Sequence, residues 1–307
     1  AWIEFTGAGS PILGPLGLAP APGSTNPLYS KWGILLVMGI GSSTLVFLAV
    51  GLWIMNHGTY FVFAMGMTVL NMKQPKWAEF YRVQPKQVDN RHLIWPTIRL
   101  SFFNGALLIM GTVVLWPIMY AAGVHYTPEW PAWYTIVWQV LFAMYVDDFV
   151  YYFIHRVLHR PWFFKRVHYL HHSVKTPWAM IGHYQHPVEF MLTGVTVLMG
   201  QTILGAHVVS IFAWILVRQY TGAIGHLGYE LKVDPFKLLP GYRGVVFHDY
   251  HHSHCDGNYS GGLGWVDGLF GTWSTGYVEG QKQMDAKLRA ARAAKKIQPD
   301  APPPAAG

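Results

Sequence analysis

This chain contains more long apolar runs than a single soluble core can absorb. Gly33 to Met55, Leu100 to Ala122 and Tyr134 to about Ile154 each reach the roughly 20 residues a helix needs to cross a bilayer. Val188 to Val217 adds two further apolar stretches, separated around Gly200 to Gly205 and suited to a hairpin that enters and leaves on one side. Tyr60 to Leu70 is apolar but about half a crossing length, and reads as a short interfacial or re-entrant piece. Composition agrees. Of 307 residues 52% are hydrophobic and 12% charged, whereas an average soluble domain carries roughly 25% charged residues. The expected fold is an all-α integral membrane protein with four to five membrane-embedded helices.

Basic residues orient those helices, because Lys and Arg accumulate on the cytoplasmic side. Asn71 to Arg99 carries Lys73, Lys76, Arg82, Lys86, Arg91 and Arg99, so this loop is placed inside. Gly123 to Ala132 has no basic residue and is placed outside, with Trp130 and Trp133 at its edge as interfacial anchors. The third run then returns inside, and Arg218, Lys232, Lys237 and Arg243 mark the hairpin's exit as inside too. The net charge of +7 is spread over polar segments with no nucleic-acid motif, which favours lipid headgroups as its partners. The chain divides into a Pro/Gly-rich extracytoplasmic arm (1–30), a membrane domain (31–280) and a basic, partly disordered tail (281–307).

Eleven of the 16 histidines fall in two short windows. The first runs through His155, His159, His168, His171, His172, His183 and His186, and the second holds His248, His251, His252 and His254. Spacings of three and four put rings on one helix face, and neutral imidazole is the commonest ligand for borderline transition metals. Both windows lie on the side placed inside, where one joint site requires them. Burying so many rings without a metal would leave nitrogens unsatisfied, at about 1 to 3 kcal/mol each. Scarce carboxylates argue against calcium and magnesium, the missing HExxH against a zinc protease, and the number of rings against a haem. Two metal ions with four or five rings each use the inventory well. His57, His92, His125 and His207 stand alone and read as hydrogen-bonded helix contacts.

HRVLH, HYLHH and HDYHH, in that order after apolar helices, resemble the sterol desaturase and fatty acid hydroxylase superfamily of membrane di-iron proteins. YQHPVEF (184–190), HLGYE (226–230), FHDYHH (247–252), GNYSG (257–261) and WVDGLFGT (265–272) are similar to its C-4 methylsterol oxidase branch, as is YRVQPKQ (81–87). The resemblance implies a cytoplasmic helical cap carrying the histidine boxes, in a bacterial inner membrane or the endoplasmic reticulum. It implies His155, His159, His168, His171, His172, His248, His251 and His252 as metal ligands, with His226 and His186 completing ten. His183 and His254 fall outside the boxes. The implied cofactors are two iron ions, with zinc entering by mis-loading, and O2 is the cosubstrate.

The implied reaction is hydroxylation of an unactivated C–H bond of a lipid, with the C-4 methyl group of a sterol as first choice. Hydroxylation or desaturation of an acyl chain, carotenoid or aminolipid is the alternative, and so is a non-catalytic metal-binding membrane subunit. Two electrons per turnover would come from cytochrome b5 or a ferredoxin with its reductase, docking on Arg156, Arg160, Lys165 and Arg166. Asp148, Asp249 and Glu189 are candidates to accept a hydrogen bond from a ligand ring's N–H and fix its tautomer, with Asp267 a further one. Cys255, the sole cysteine, excludes an intramolecular disulfide and reads as a structural thiol, and the NYS sequon at Asn258 is expected to stay unmodified.

Overall fold

The computed structural model describes residues 43–86, 88–231 and 234–297. The arm (1–30), the start of the first apolar run and the final PDAPPPAAG lie outside the described residues. The protein is all-helical, with no strand among the described residues. That suits hydrocarbon, where a helix satisfies its own backbone groups and an open strand edge does not. The main helices are α1 (Ser43–Ile54), α2 (Tyr60–Lys73), α3 (Ile94–Ala121), α4 (Trp133–Leu158), α5 (Pro187–Ile203), α6 (Val208–Gly225), α7 (Gly244–His254) and α8 (Tyr277–Ile297).

Four helical stretches are long and apolar enough to cross a membrane: Thr44–Lys73, Arg91–Ala121, Trp133–Leu158 and Val208–Gly225. The first corrects an expectation. Tyr60 to Leu70 is not a separate interfacial piece, because a π-helical turn (Met55–Thr59) carries α1 directly into α2. The extra residue of that turn is accommodated where the His57 ring lies 2.9 Å from both the Trp53 and Ser101 carbonyls. Arg218 is also displaced from its expected place. It sits within α6 and not on the polar segment after it.

The hairpin is present as α5 and α6. Its tip is tied to the loop after α3, where the Val208 N–H donates to the His125 carbonyl (2.9 Å) and the Thr127 N–H to His207 Nε2 (3.0 Å). These contacts set one end of the bundle; the C-termini of α4 and α6, which carry the first histidines, define the other. Helix α4 packs most extensively on α5. Gly200 makes that closeness possible, since a Cβ there would lie 2.6 Å from Ala143 Cα, and small residues let membrane helices approach. Trp130 and Trp133 are 72% and 74% exposed, as anchors would be. Residues 281–297 of the expected tail are helical, and Met284 and Leu288 of α8 bury against Phe247 of α7.

Candidate metal centre

Nine buried or half-buried imidazoles meet at this end of the bundle in two groups. One holds His155, His159, His168, His172 and His251; the other holds His171, His226, His248 and His252. Within each group one ring nitrogen per residue lies within 4.8 Å of all the others. Helix geometry decides the division. At 3.6 residues per turn, i and i+4 are about 40° apart and adjacent residues about 100°. Hence His155 with His159, His168 with His172, and His248 with His252 each share a group, whereas His171 and His251 turn to the opposite one.

Backbone carbonyls fix the tautomers. Nδ1–H donates from His155 to the Tyr259 carbonyl (2.7 Å), from His251 to Gly257 (2.7 Å), from His226 to Gly222 (2.7 Å) and from His252 to Val174 (3.1 Å). The lone pair of each ring is thereby left on Nε2, facing inward. There the nitrogens crowd: His155 Nε2 lies 3.0 Å from His168 Nε2, His251 Nε2 3.0 Å from His172 Nε2, and His248 Nε2 2.9 Å from His226 Nε2. His159 Nε2 and His252 Nε2 are buried without a hydrogen-bond partner. Facing lone pairs repel unless a cation lies between them, so the donor set fits two borderline divalent ions. Burial is the largest reason that His159, His171, His172, His248 and His252 are held below the ordinary imidazole range, and it brings His226 to about 4 and His251 to about 3. These rings are neutral near pH 7, the form that ligates.

The remaining expected residues divide sharply. His186 joins neither group; its Nδ1 accepts the Val188 N–H (3.2 Å) and caps α5. His183 lies between Ser101 Oγ (2.9 Å) and Gln219 Oε1 (3.0 Å), stacked on Tyr60, and His254 stacks on Tyr250 at the surface. Of the four carboxylates, only Glu189 faces a ring of the two groups. Its Oε2 is 3.0 Å from His168 Nδ1, an oblique approach between two fully buried groups.

Asp148 accepts instead from the Gly262 and Leu263 N–H groups (3.1 Å each), and Asp249 from Gln84 Nε2 (2.9 Å). Asp267 acts through the chain. It accepts from the N–H groups of Tyr259 (2.9 Å) and Ser260 (2.8 Å) and from Thr272 Oγ1 (2.7 Å), holding the loop whose carbonyls orient His155 and His251. Cys255 Sγ lies 3.3 Å from His172 Nδ1, and Asn258 is buried, bonding the Phe247 carbonyl and the Ser274 N–H. Arg156, Arg160, Lys165 and Arg166 are exposed beside the first group.

A partly open cavity ends on the second group at His171, His226 and His248. Its far part is apolar, walled by Leu52, Leu108, Val197 and Ile215 from the spanning helices and α5. No residue of the five-imidazole group lines it.

Residues 140–272 match the fatty acid hydroxylase family. The chain is 32% identical over 235 residues to a very-long-chain aldehyde decarbonylase of Oryza sativa subsp. indica, an alignment covering 76% of this chain and 88% of that protein. The chain belongs to the fatty acid hydroxylase family. This family member is an oxidoreductase. It is also 28% identical over 226 residues to methylsterol monooxygenase 2-2 of Arabidopsis thaliana (73% and 84% coverage). With methylsterol monooxygenase 1 of Gallus gallus it shares 31% identity over 213 residues (68% and 71%). No solved structure matches it.

Reasoning on the sequence missed the carbonyls of Gly222, Gly257 and Tyr259, which any residue type offers and no motif announces. It also missed the partner of Asp147. A carboxylate inside a membrane helix demands a counter-charge; that signal calls for a cation without naming it, and the structure puts Arg218 Nε 3.0 Å away.

Proposed function

We propose that this fatty acid hydroxylase family member oxidises an unactivated C–H bond of a membrane lipid at two iron ions, with the C-4 methyl group of a sterol as the preferred target. The observation that carries this reading is a cavity walled by membrane helices that ends on one of two adjacent imidazole groups. His155, His159, His168, His172 and His251 would hold one ion, and His171, His226, His248 and His252 the other. Two bound ferrous ions supply activation of O2 and removal of hydrogen from carbon.

The chain's own part is positioning. The carbonyls of Tyr259, Gly257, Gly222 and Val174 keep the Nδ1 protons of four rings in place, so that no ring rotates as charge changes at the centre. Glu189 supplies a buried negative charge beside His168. The apolar walls take lipid from the bilayer side and exclude water from the reacting end. Basic residues in the loop of 71–99 support a cytoplasmic histidine end. The exposed Arg156, Arg160, Lys165 and Arg166 offer an acidic donor, cytochrome b5 or a ferredoxin, a docking surface there.

The test is comparison of extracted lipids, by mass, from cells with and without the gene. Gain of one oxygen on a lipid, or loss of a methyl group from a 4-methyl sterol, is expected; an unchanged lipid profile refutes the assignment. The similarity to aldehyde decarbonylases favours a second reading. Under it a long-chain aldehyde disappears and a hydrocarbon one carbon shorter accumulates, which the same extraction detects.

A further inference from the structure

Arg218 is the one charged residue of α6, two turns before His226, in a helix long and apolar enough to cross the membrane. A cation there is costly unless it is partnered. Asp147 of α4 supplies the counter-charge through a single contact, Nε to Oδ2 at 3.0 Å, and the other Asp147 oxygen is taken by Thr196 Oγ1 at 2.6 Å. The Tyr151 ring lies 5.8 Å from the guanidinium carbon. A guanidinium carries five donors, and carboxylates usually bind it through a two-pronged face. Here only Nε is engaged. Neither terminal nitrogen meets an acceptor among the described residues.

The direction of the side chain matters as much as its spare donors. It runs along α6 toward the metal centre, and a Cβ added to Gly222 would lie 3.3 Å from Nη1. Glycine at that position leaves the terminal nitrogens room beside the backbone that holds His226 through the Gly222 carbonyl. Arg218, Gly222 and His226 all line the lipid cavity. Unsatisfied donors therefore stand at the reacting end of a cavity whose apolar wall is interrupted by neutral polar residues such as Asn56, Gln185 and Gln219. The positive charge is already balanced by Asp147, so the acceptor that completes the site is an uncharged oxygen.

Resting on the proposed lipid oxidation, we infer that Arg218 is a substrate-binding residue whose terminal nitrogens hydrogen-bond a hydroxyl or carbonyl oxygen lying a few bonds from the carbon that reacts. The substrate class is thus an oxygen-bearing lipid oxidised next to its polar group. A hydrocarbon segment of the same shape is rejected because it leaves the donors unpaired.

The test is equilibrium binding to the full-length, metal-loaded protein in nanodiscs, without O2 or electron donor. The probes are a 4,4-dimethyl sterol and its 3-deoxy counterpart, and a long-chain primary alcohol and the alkane of equal length. The oxygenated member of at least one pair should bind tighter by roughly ten- to a hundredfold, the range for a hydrogen bond to a charged group. Arg218→Met should abolish that preference. Because it strands Asp147, the Arg218→Met/Asp147→Asn double variant is measured beside it, with metal content checked on both.

Equal affinities within both pairs, a preference that survives in the double variant, or no binding of either oxygenated probe would overturn the inference. A fatty acid of the same length binding tighter than the alcohol would overturn the uncharged acceptor. Discrimination in the alcohol pair alone would sink the sterol preference and leave the role of Arg218 standing.

Discussion

Replacing Asp267 by alanine separates the two imidazole groups experimentally. The carboxylate is fully buried and accepts from the Tyr259 N–H, the Ser260 N–H and Thr272 Oγ1 at 2.7 to 2.9 Å. A hydrogen bond to a charged group contributes about 1.5 to 3 kcal/mol, and a donor left buried costs about 1 to 3 kcal/mol. Water entering the vacated space recovers part of this, so about 4 kcal/mol of destabilisation is expected, at the upper end for single substitutions. The loss falls on the segment that orients His155 and His251, both in the five-imidazole group. His226 and His252 are held by Gly222 and Val174, outside that segment. Support lost behind a ligand lowers metal affinity by about 10- to 100-fold. Asp267→Ala purified with a mild chelator should therefore keep close to one metal per chain where the parent keeps two, by elemental mass spectrometry. Asp267→Asn, which retains one acceptor oxygen, should fall between. Equal loss from both groups, or two metals retained despite a lowered Tm, would refute the assignment of Asp267 to one group.

Other substitutions discriminate between ring roles. His251→Ala should lose metal and turnover while inserting normally into membranes, whereas His186→Ala should keep both metals and lose about 1 kcal/mol of helix capping, read from metal content and detergent unfolding. Glu189→Gln should weaken metal retention by about 10- to 100-fold if its charge supports His168; unchanged chelator resistance would assign that carboxylate a packing role only. Gly200→Val should destabilise the fold by about 1 to 3 kcal/mol through overpacking, because its Cβ would meet Ala143 at 2.6 Å. A wild-type unfolding midpoint would show that α4 and α5 do not need that approach.

The two groups illuminate what pattern reasoning sees. Spacings of three and four predicted rings on common faces; the structure keeps the i,i+4 partners together but parts the i,i+3 pairs, His168 from His171 and His248 from His251. His226 stands alone in the sequence, and its ring enters the four-imidazole group only because α6 ends beside α7. His186 has the same local look, a histidine beside a box, yet it heads α5 and spends its ring on capping. Carboxylates were harder still. Asp148, Asp249, Glu189 and Asp267 all lie near boxes, and only tertiary packing aims Glu189 at His168 while turning the others to backbone or glutamine.

The sequence by itself determined that this chain is helical and membrane-embedded, because apolar length and charge scarcity are local properties that hold whatever packs beside them. It also determined that histidines four apart share a helix face, since 3.6 residues per turn is a property of the backbone. Tertiary structure alone decided which faces meet, which carbonyl fixes each Nδ1 proton, and that Arg218 lies against Asp147 with donors to spare. Those contacts join residues as many as 104 positions apart, and distance along the chain carries no information about proximity until the helices have packed.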